Sequence, residues 1–334
     1  MHFPVGKLPS DILEKLLNAY TSKDGRVVVG PAIGEDAAVI DIGNRYLIAK
    51  TDPITFVAED IGAYTVFINA NDIATMGGTP GWFLATVLLP EKHATPELAE
   101  KIFSQLSYAC KRIDISLCGG HTEITVGIER PIVIGMMLGE VEKEDLITTS
   151  GAKEGDDIIL TKAIAVEAVS VIARQKSEEL ADRFGKDFVD HCKRFTEDPG
   201  ISILKEASIA RRSGDIHSMH DPTEGGLATG LYEIAKAAGV GIIVDEARIP
   251  IMDECKVLSD YYKLHPLGLI ASGSLLMTLD PRDSNIVMNN LNKNGITASI
   301  IGKIVKMGEG VKIRKGDNVK DVRRFERDEV TKIL

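Results

Sequence analysis

Acidic residues recur beside glycine or proline at five points along the chain of 334 residues. We call these points the acidic stations, and their carboxylates belong to Asp36, Asp52, Asp72, Glu123 and Asp221. Carboxylate oxygens are the ligands that Mg²⁺ prefers, and the ion is commonly shared with substrate phosphates. Neighbouring glycines let the backbone approach phosphate oxygens closely. The stations therefore predict metal-assisted chemistry on a phosphorylated substrate.

The third station lies in the stretch from Val66 to Trp82. Apolar residues surround Asn71-Asp72 and predict a helix over residues 63–76, which Gly77-Gly78 would end. A helix that carries a carboxylate and stops on glycines can hold a cation and present N–H groups to an anion. The alternative is an ordinary amphipathic helix with a glycine stop before a strand.

Two stations also contain a histidine. His121 lies in a Gly-Gly-His-Thr-Glu motif that follows a short predicted strand, and His220 directly precedes Asp221-Pro222. Either imidazole could transfer a proton or contact a substrate. The alternatives are that His121 orients its loop and that His220 braces a turn. Asp221 could equally be the N-cap of the helix predicted over residues 228–238.

Three common motifs are absent from the chain. It has no G-x-x-x-x-G-K-[ST] motif, and this excludes a P-loop. No G-x-G-x-x-G follows a predicted strand, which argues against a Rossmann dinucleotide site. There is also no G-x-S-x-G, the nucleophile elbow of α/β-hydrolases. The predicted phosphate chemistry must therefore use a different framework.

Composition narrows the classes of partner. The formal net charge is −10 and aromatic residues make up only 5% of the chain, which argues against nucleic acid and anionic membranes as partners. The four cysteines form no C-x-x-C pair, and this favours buried free thiols in a reducing compartment. The N-terminus has no signal-peptide pattern, and no apolar run is long enough to cross a membrane. We therefore expect a cytoplasmic protein without a membrane anchor.

Strand and helix patterns alternate through the first half of the chain, as in a two-layer α/β unit. Residues 37–40 and 46–50 predict a hairpin whose second strand ends at Thr51-Asp52-Pro53. The polar, glycine-containing joint at residues 150–156 predicts a domain boundary. The predicted fold class is α/β (α+β), with domains at residues 1–149 and 150–334.

The five stations, taken in order, resemble the motifs of one superfamily. The matching segments are Gly34–Val39, Thr51-Asp52, Asn71–Pro80, Gly119–Glu123 and His220–Ala228. The chain is identified as a member of the aminoimidazole-ribonucleotide-synthetase, or PurM-like, superfamily, and is most similar to its hydrogenase-maturation branch, HypE. This resemblance implies a PurM-like fold with two domains, an N-terminal ferredoxin-like domain that forms a barrel in a homodimer and a C-terminal α/β domain. It also implies that the N-terminal domain binds ATP with Mg²⁺.

The resemblance also implies roles for individual residues. The implied metal ligands are Asp36, Asp52, Asp72 and Asp221. The implied ATP-binding residues are Gly34, Glu35, Asp36, Asn71, Gly77, Gly78, Gly119, Gly120 and Thr122. The implied catalytic residues are His121, Glu123, His220 and Asp221.

The chain departs from the HypE pattern where the acceptor is concerned. HypE usually ends in a cysteine that receives a carbamoyl group, whereas the last cysteine here is Cys255. Glu224 also stands where HypE usually has a basic residue. We therefore expect the acceptor to be a separate molecule, with a maturation protein as a possible partner.

These observations predict an ATP- and Mg²⁺-dependent enzyme that activates a substrate oxygen by phosphoryl transfer, as in hydrogenase maturation. One alternative is a small-molecule kinase resembling thiamine-monophosphate kinase, although that kinase usually has a GGD-type motif where this chain has Gly-Gly-His-Thr-Glu. Another alternative is a non-catalytic scaffold that binds nucleotide. Retention of all five acidic stations argues against the scaffold, because a scaffold has no evident need for them.

Overall fold

The computed structural model describes residue 3, residues 5–22 and residues 24–334, and it contains two β-sheets. The strands are β1 (Val27–Val29), β2 (Ala38–Asp41), β3 (Tyr46–Ile54), β4 (Thr79–Pro90), β5 (Ser116–Thr125), β6 (Ile132–Val141), β7 (Asp157–Thr161), β8 (Ile216–His220), β9 (Gly241–Asp245), β10 (Leu276–Leu279), β11 (Ala298–Val305), β12 (Val311–Lys315) and β13 (Asn318–Asp321). The α-helices are α1 (Ser10–Tyr20), α2 (Ile61–Thr75), α3 (Pro96–Arg112), α4 (Val166–Gln175), α5 (Ser177–Phe184), α6 (Lys186–Lys193), α7 (Leu204–Ser213), α8 (Gly226–Ala238), α9 (Asp253–Tyr262) and α10 (Pro281–Lys293).

The first sheet has six strands in the order β1-β2-β3-β6-β4-β5. The predicted hairpin is confirmed, since Ala38 pairs with Ala49 and Asp41 with Tyr46 in an antiparallel ladder. Along β4 and β6, buried and partly exposed residues alternate, which is the period of a sheet covered on one face only. Strand β5 pairs with β4 in parallel and forms the edge of this sheet.

The second sheet has seven strands in the order β13-β12-β9-β11-β7-β10-β8. Strand β7 lies near its middle and all five of its residues are buried. Strand β8 lies at one edge and ends at His220, which places the His220-Asp221 step where the chain leaves the sheet. The first sheet ends at Val141 and the second begins at Asp157, so the boundary between residues 149 and 150 stays a prediction within that interval.

Helix α2 connects the two halves of the molecule. All of its residues except Ala63 are buried, because it packs on the first sheet and against α7 and β8 of the second half. The Tyr64 hydroxyl donates to the Ser170 hydroxyl of α4 at 3.0 Å, and Asn71 contacts the segment before α7. One continuous apolar core therefore runs from the first sheet into the second half.

Two sequence predictions of local structure were wrong. Strand β3 continues through Ile54, so Asp52 lies within a strand and not after its end, because pairing with β6 extends to the Ile54–Val133 pair. Strand β5 extends to Thr125, so residues 119–123 form a strand paired with β4 and not a loop. Among the described residues, no helix combines the length and apolar character that crossing a bilayer requires.

Candidate metal and phosphate site

Three acidic side chains from distant parts of the chain meet in one buried cluster. Asp36 lies just before β2, Asp72 on α2 and Asp221 directly after β8. One carboxylate oxygen from each lies within 4.8 Å of the others. We call this group the carboxylate cluster. It exists only where the two halves of the molecule pack together, because Asp221 comes from the second half.

The free oxygens of this cluster fit a hard cation. Asp36 Oδ2, Asp72 Oδ2 and both carboxylate oxygens of Asp221 are buried and have no hydrogen-bond partner among the described residues. Buried polar atoms in native proteins are nearly always paired, so unpaired oxygens that converge have the chemistry of a cation site. The same atoms exclude the simple N-cap role for Asp221, since neither of its oxygens accepts a bond from α8.

Burial and mutual repulsion dominate the electrostatics of the cluster. Burial and the neighbouring carboxylates raise the pKa of Asp72 well above its usual range, although Lys50 opposes the shift. Burial, followed by the charge of Asp36, raises the pKa of Asp221 to about 8. Ionised carboxylates at such a site are costly unless a cation balances them.

Lys50 is the amine that faces this cluster. Its Nζ lies 3.3 Å from Asp72 Oδ1 and 3.4 Å from Asp52 Oδ2. Burial alone would lower the pKa of Lys50, but Asp72 and Asp52 raise it above its usual value, so the amine stays protonated. Asp52 is itself held by Asn69, whose Oδ1 accepts from the Asp52 backbone N–H at 2.9 Å. Asp52 therefore borders the carboxylate cluster through Lys50.

His220 links the cluster to α8. Its Nδ1 lies 2.8 Å from Asp36 Oδ1, and its Nε2 lies 3.0 Å from Glu233 Oε2. Glu233 in turn contacts Lys7 Nζ at 3.1 Å. Burial alone would lower the pKa of His220, but Asp36 and Glu233 raise it well above its usual value. Burial alone would raise the pKa of Glu233, but Lys7 and His220 lower it below its usual range.

The His220 imidazole lies between two carboxylates, those of Asp36 and Glu233. A protonated imidazole between two carboxylates fixes Asp36 at the cluster and is not free to accept a further proton. His220 therefore positions the Asp36 carboxylate at the cluster. Proton transfer or substrate contact by His220 stays a prediction, and the structure places its imidazole against Asp36.

Gly77 and Gly78 use their N–H groups to end α2. The Gly77 N–H donates to Ala74 O and the Gly78 N–H to Ile73 O, both at 3.0 Å. An added Cβ at Gly77 would lie 2.3 Å from Asp145 O, and one at Gly78 would lie 2.4 Å from the Ile48 side chain. These glycines serve close packing, and the structure assigns their amides to the helix end instead of the predicted contact with ATP.

Three further residues predicted to bind ATP have structural partners. Asn71 Nδ2 donates to Ile201 O and Asn71 Oδ1 accepts from Ile203 N–H, both at 2.9 Å. Glu35 accepts bonds from the N–H groups of residues 149 and 150 at 3.2 and 3.1 Å. Gly34 has φ +91° and lies against α8, where an added Cβ would be 2.6 Å from Glu233 O. The segment before Asp36 is thus fastened to the second half of the molecule.

The fourth station lies elsewhere in the molecule. Residues 119–123 form the middle of β5, where their side chains are exposed, and His121 Nε2 lies 3.5 Å from Glu123 Oε2. Strands β6 and β4 separate β5 from β3, a distance of about 14 Å at the usual strand spacing. Within one chain, the structure therefore does not bring His121, Thr122 and Glu123 to the carboxylate cluster. Gly120 packs closely on β4, since an added Cβ would lie 1.9 Å from Ala85 O.

Sequence reasoning missed four residues of the site, namely Lys50, Asn69, Glu233 and Lys7. A signal existed for Lys50, because residues two apart on a strand point to the same face and Asp52 follows at that spacing. Asn69 lies three residues before Asp72 on the same helix, which is also a usable spacing. Glu233 and Lys7 carry no local signal, because only the packing of α8 and the N-terminal segment brings them to His220.

Comparison with known proteins establishes the family. The model of the AIR synthase related protein N-terminal domain matches residues 34–141, and that of the C-terminal domain matches residues 153–314. Selenide, water dikinase of Yersinia pestis is 31% identical over 250 residues, which cover 73% of this chain and 68% of that protein. The chain belongs to the AIR synthase related protein family.

Two relatives concern hydrogenase proteins. A putative hydrogenase expression/formation protein of Methanocaldococcus jannaschii is 29% identical over 321 residues, covering 93% of this chain and 92% of that protein. Carbamoyl dehydratase HypE of Rhizobium leguminosarum bv. viciae is 25% identical over 284 residues, covering 81% and 77%. The predicted resemblance to the HypE branch is therefore confirmed.

Solved structures confirm the two-domain PurM-like α/β fold. The chain from the HypE-HypF complex has a TM-score of 0.76 at 21% identity, covering 95% of this chain and 100% of that one. HypE in complex with ATP has a TM-score of 0.72 at 20% identity, covering 94% and 91%. AaThiL complexed with AMPPCP and TMP has a TM-score of 0.71 at 19% identity, covering 94% and 95%.

Proposed function

We propose that this protein is an ATP- and Mg²⁺-dependent enzyme that activates an oxygen of its substrate by phosphoryl transfer. The observation that carries the proposal is the carboxylate cluster, in which buried and unpaired oxygens of Asp36, Asp72 and Asp221 converge. A site of this kind suits Mg²⁺ shared with the phosphates of ATP. In the proposed step, the substrate oxygen bonds to the γ-phosphorus of ATP as the bond to the ADP oxygen breaks.

The relatives support the use of ATP. Their names include a selenide, water dikinase and a carbamoyl dehydratase, and the similar structures include complexes with ATP and with AMPPCP. These proteins share the fold but differ in what they modify. They therefore support an ATP-using enzyme of this family.

In this proposal, some residues of the site bind Mg²⁺ and others position the residues that bind it. Asp36, Asp72 and Asp221 would hold Mg²⁺, which when bound offsets the charge that develops on the transferred phosphoryl group. Lys50 is protonated and faces the cluster, so its ammonium group keeps Asp72 and Asp52 in place. His220 holds Asp36 from behind, and Asn69 holds the backbone of Asp52.

The acceptor in this proposal is a separate molecule. Cys110, Cys192 and Cys255 are buried, and burial raises their pKa values to about 11, 12 and 11. Thiols in that state are poor nucleophiles at neutral pH. Cys118 is exposed on β5, contrary to the sequence expectation of buried thiols, but that strand is remote from the carboxylate cluster. A maturation partner protein is proposed by analogy with the HypE-HypF complex.

A thermal-shift experiment tests the proposal. ATP with Mg²⁺ should raise the melting temperature, because a ligand at about 100 times its Kd stabilises the native state by about 2.7 kcal/mol. EDTA should cancel the shift, and slow release of ADP should accompany it. No shift at millimolar ATP contradicts the proposal.

Intact-mass analysis tests whether the acceptor is a separate molecule. An adduct of carbamoyl or cyano mass on any cysteine, after incubation with ATP and a carbamoylating partner, contradicts a separate acceptor.

A further inference from the structure

A cavity adjoins the carboxylate cluster. Its volume is about 350 Å³, within the range of small-molecule pockets, and Asp52 forms part of its wall. Much of the lining is apolar and comes from Ile54, Phe56, Ile68 and Ile270. A ligand in this cavity would have an apolar body and would place its polar end near the proposed phosphate site.

The polar side of the cavity carries a buried carboxylate that has one unpaired oxygen. Glu167, on α4, is only 4% exposed and lines the cavity, yet its Oε2 has no hydrogen-bond partner among the described residues. The Ser272 hydroxyl, which also lines the cavity, is likewise unpaired. An unsatisfied buried acceptor costs free energy, and a ligand that donates N–H bonds would remove that cost.

The lining disfavours an anionic ligand end once its carboxyl groups are ionised. Glu224 and Asp52 line the cavity together with Glu167, so three carboxylates face the same space. Lys7 is the one basic side chain among the described lining residues, and Glu233 engages its Nζ at 3.1 Å. A phosphate or carboxylate entering here would meet like charges without a free cation, whereas an N–H donor would meet complementary ones.

The pKa of Glu167 is consistent with binding of an N–H-donating cation. Burial raises the pKa of Glu167 to about 8, and the neighbouring carboxylates of Asp328 and Glu224 add to the shift while Ser272 opposes it. Burial also raises the pKa of Glu224. A bound cation would favour the ionised carboxylate, so binding should strengthen as the pH rises towards and above 8.

We propose that this cavity binds the acceptor through an N–H-donating group, such as a protonated amine, an amidine or a primary amide, that is attached to an apolar body. The inference rests on the proposed function for the identity of the ligand as acceptor. It selects among acceptors, because it excludes those recognised through a terminal phosphate or carboxylate. Glu167 and Ser272 are the residues that recognise the N–H group.

Benzamidine and benzoate are matched probes for this cavity, since they share a ring and differ in the charge and donors of the planar end. At pH 9, where Glu167 is ionised, calorimetry should detect millimolar binding of benzamidine and none of benzoate. Glu167→Gln should weaken benzamidine at least tenfold, whereas Glu309→Gln, an equal charge change at an exposed residue, should leave it unchanged. Benzamidine should bind more tightly at pH 9 than at pH 6, and this difference should disappear in Glu167→Gln.

Ser272→Ala provides a second variant that removes only one small hydroxyl, and it should weaken benzamidine about threefold while the protein stays folded by circular dichroism. Equal binding of benzoate, or unchanged benzamidine binding in both cavity variants, overturns the proposal. If Glu167→Gln weakens ATP as much as benzamidine, the cavity holds the nucleotide base and the acceptor assignment is wrong.

The two proposals fail separately in this experiment. If ATP with Mg²⁺ binds but benzamidine does not, the cavity proposal is overturned and the proposed function stands. If benzamidine binds and depends on Glu167 while ATP with Mg²⁺ gives no shift, the N–H site is supported and the phosphoryl-transfer function is overturned.

Discussion

Asp72 and Asn71 show how two adjacent polar residues on one helix take different roles. The side chain of Asn71 donates to the backbone at residue 201 and accepts from the backbone at residue 203. It therefore fastens α2 to the second half of the molecule. Asp72 keeps Oδ2 unpaired and faces Asp36 and Asp221. Polar residues on a buried helix therefore differ in role. Hydrogen bonds distinguish a side chain that fastens the helix from one that keeps a free oxygen.

Asp72→Asn tests the proposed role of Asp72 in holding the metal. The substitution keeps the shape and removes one charge, so we expect ADP formation to fall by about two orders of magnitude or more. Stability should change little or increase, because burial and repulsion already disfavour the ionised carboxylate. Single-turnover assays and urea unfolding measure the two effects, with Asp317→Asn at an exposed turn as control. A variant that unfolds easily yet retains turnover would make Asp72 structural.

Helix α2 reaches its position because β6 offers it glycines. An added Cβ at Gly139 would lie 2.3 Å from the Ile73 side chain, and one at Gly135 would lie 2.4 Å from Asn69 Nδ2. The helix that carries Asp72 and Asn69 therefore lies directly on the backbone of the sheet. Any side chain at these positions would push the helix, and with it the carboxylate cluster, away from β3.

Gly139→Ala tests the packing of α2 on β6. Overpacking of a close helix–sheet contact typically costs about 1–3 kcal/mol, so the urea midpoint should fall. The thermal shift with ATP and Mg²⁺ should also shrink, because Asp72 moves with α2. Gly81→Ala is the matched control on β4, since an added Cβ there has no atom within 4 Å. Equal stability of the two variants would show that α2 can adjust without loss.

The outer face of the first sheet lacks a covering layer in the described chain. Trp82 and Met136 on this sheet are 41% and 43% exposed, and Ile124 on edge strand β5 is 63% exposed. Such an apolar face beside a long open edge strand is a site for association. A two-fold dimer that covers both is the simplest arrangement, and a homodimer therefore stays our prediction.

Light scattering tests the predicted homodimer by measuring its mass in solution. A homodimer should have about twice the mass of the 36.2 kDa chain at micromolar concentration. Met136→Lys should shift the population towards monomer, because an ammonium group would be buried in the interface. Met307→Lys, at a residue 71% exposed in the second half, should leave the mass unchanged. A wild-type monomer at micromolar concentration would contradict the prediction.

The family, the two-domain α/β fold and the carboxylates of the cluster could be predicted from sequence. Motifs of acid and glycine are local, and alternating strand and helix patterns express local preferences and burial periods. Asp36, Asp72 and Asp221 could thus be named as candidates before any contact between them was known. Helix α3 also begins at local signals, because Thr95 caps it by accepting from the Leu98 N–H and Pro96 is its first residue.

Which candidate site residues meet, and which groups each one hydrogen-bonds, depends on the packing of the whole chain. Glu123 carries the same kind of motif as Asp221, yet strand order leaves it on an exposed edge while the packing of the two halves brings Asp221 to Asp36. Gly77 and Gly78 resemble a phosphate-binding loop in sequence, but their N–H groups end α2. Lys7, Glu167 and Glu233 show no local pattern, because their surroundings come from segments far apart in the chain. Contacts between distant segments arise from burial and packing over the whole chain, and a local motif carries no information about them.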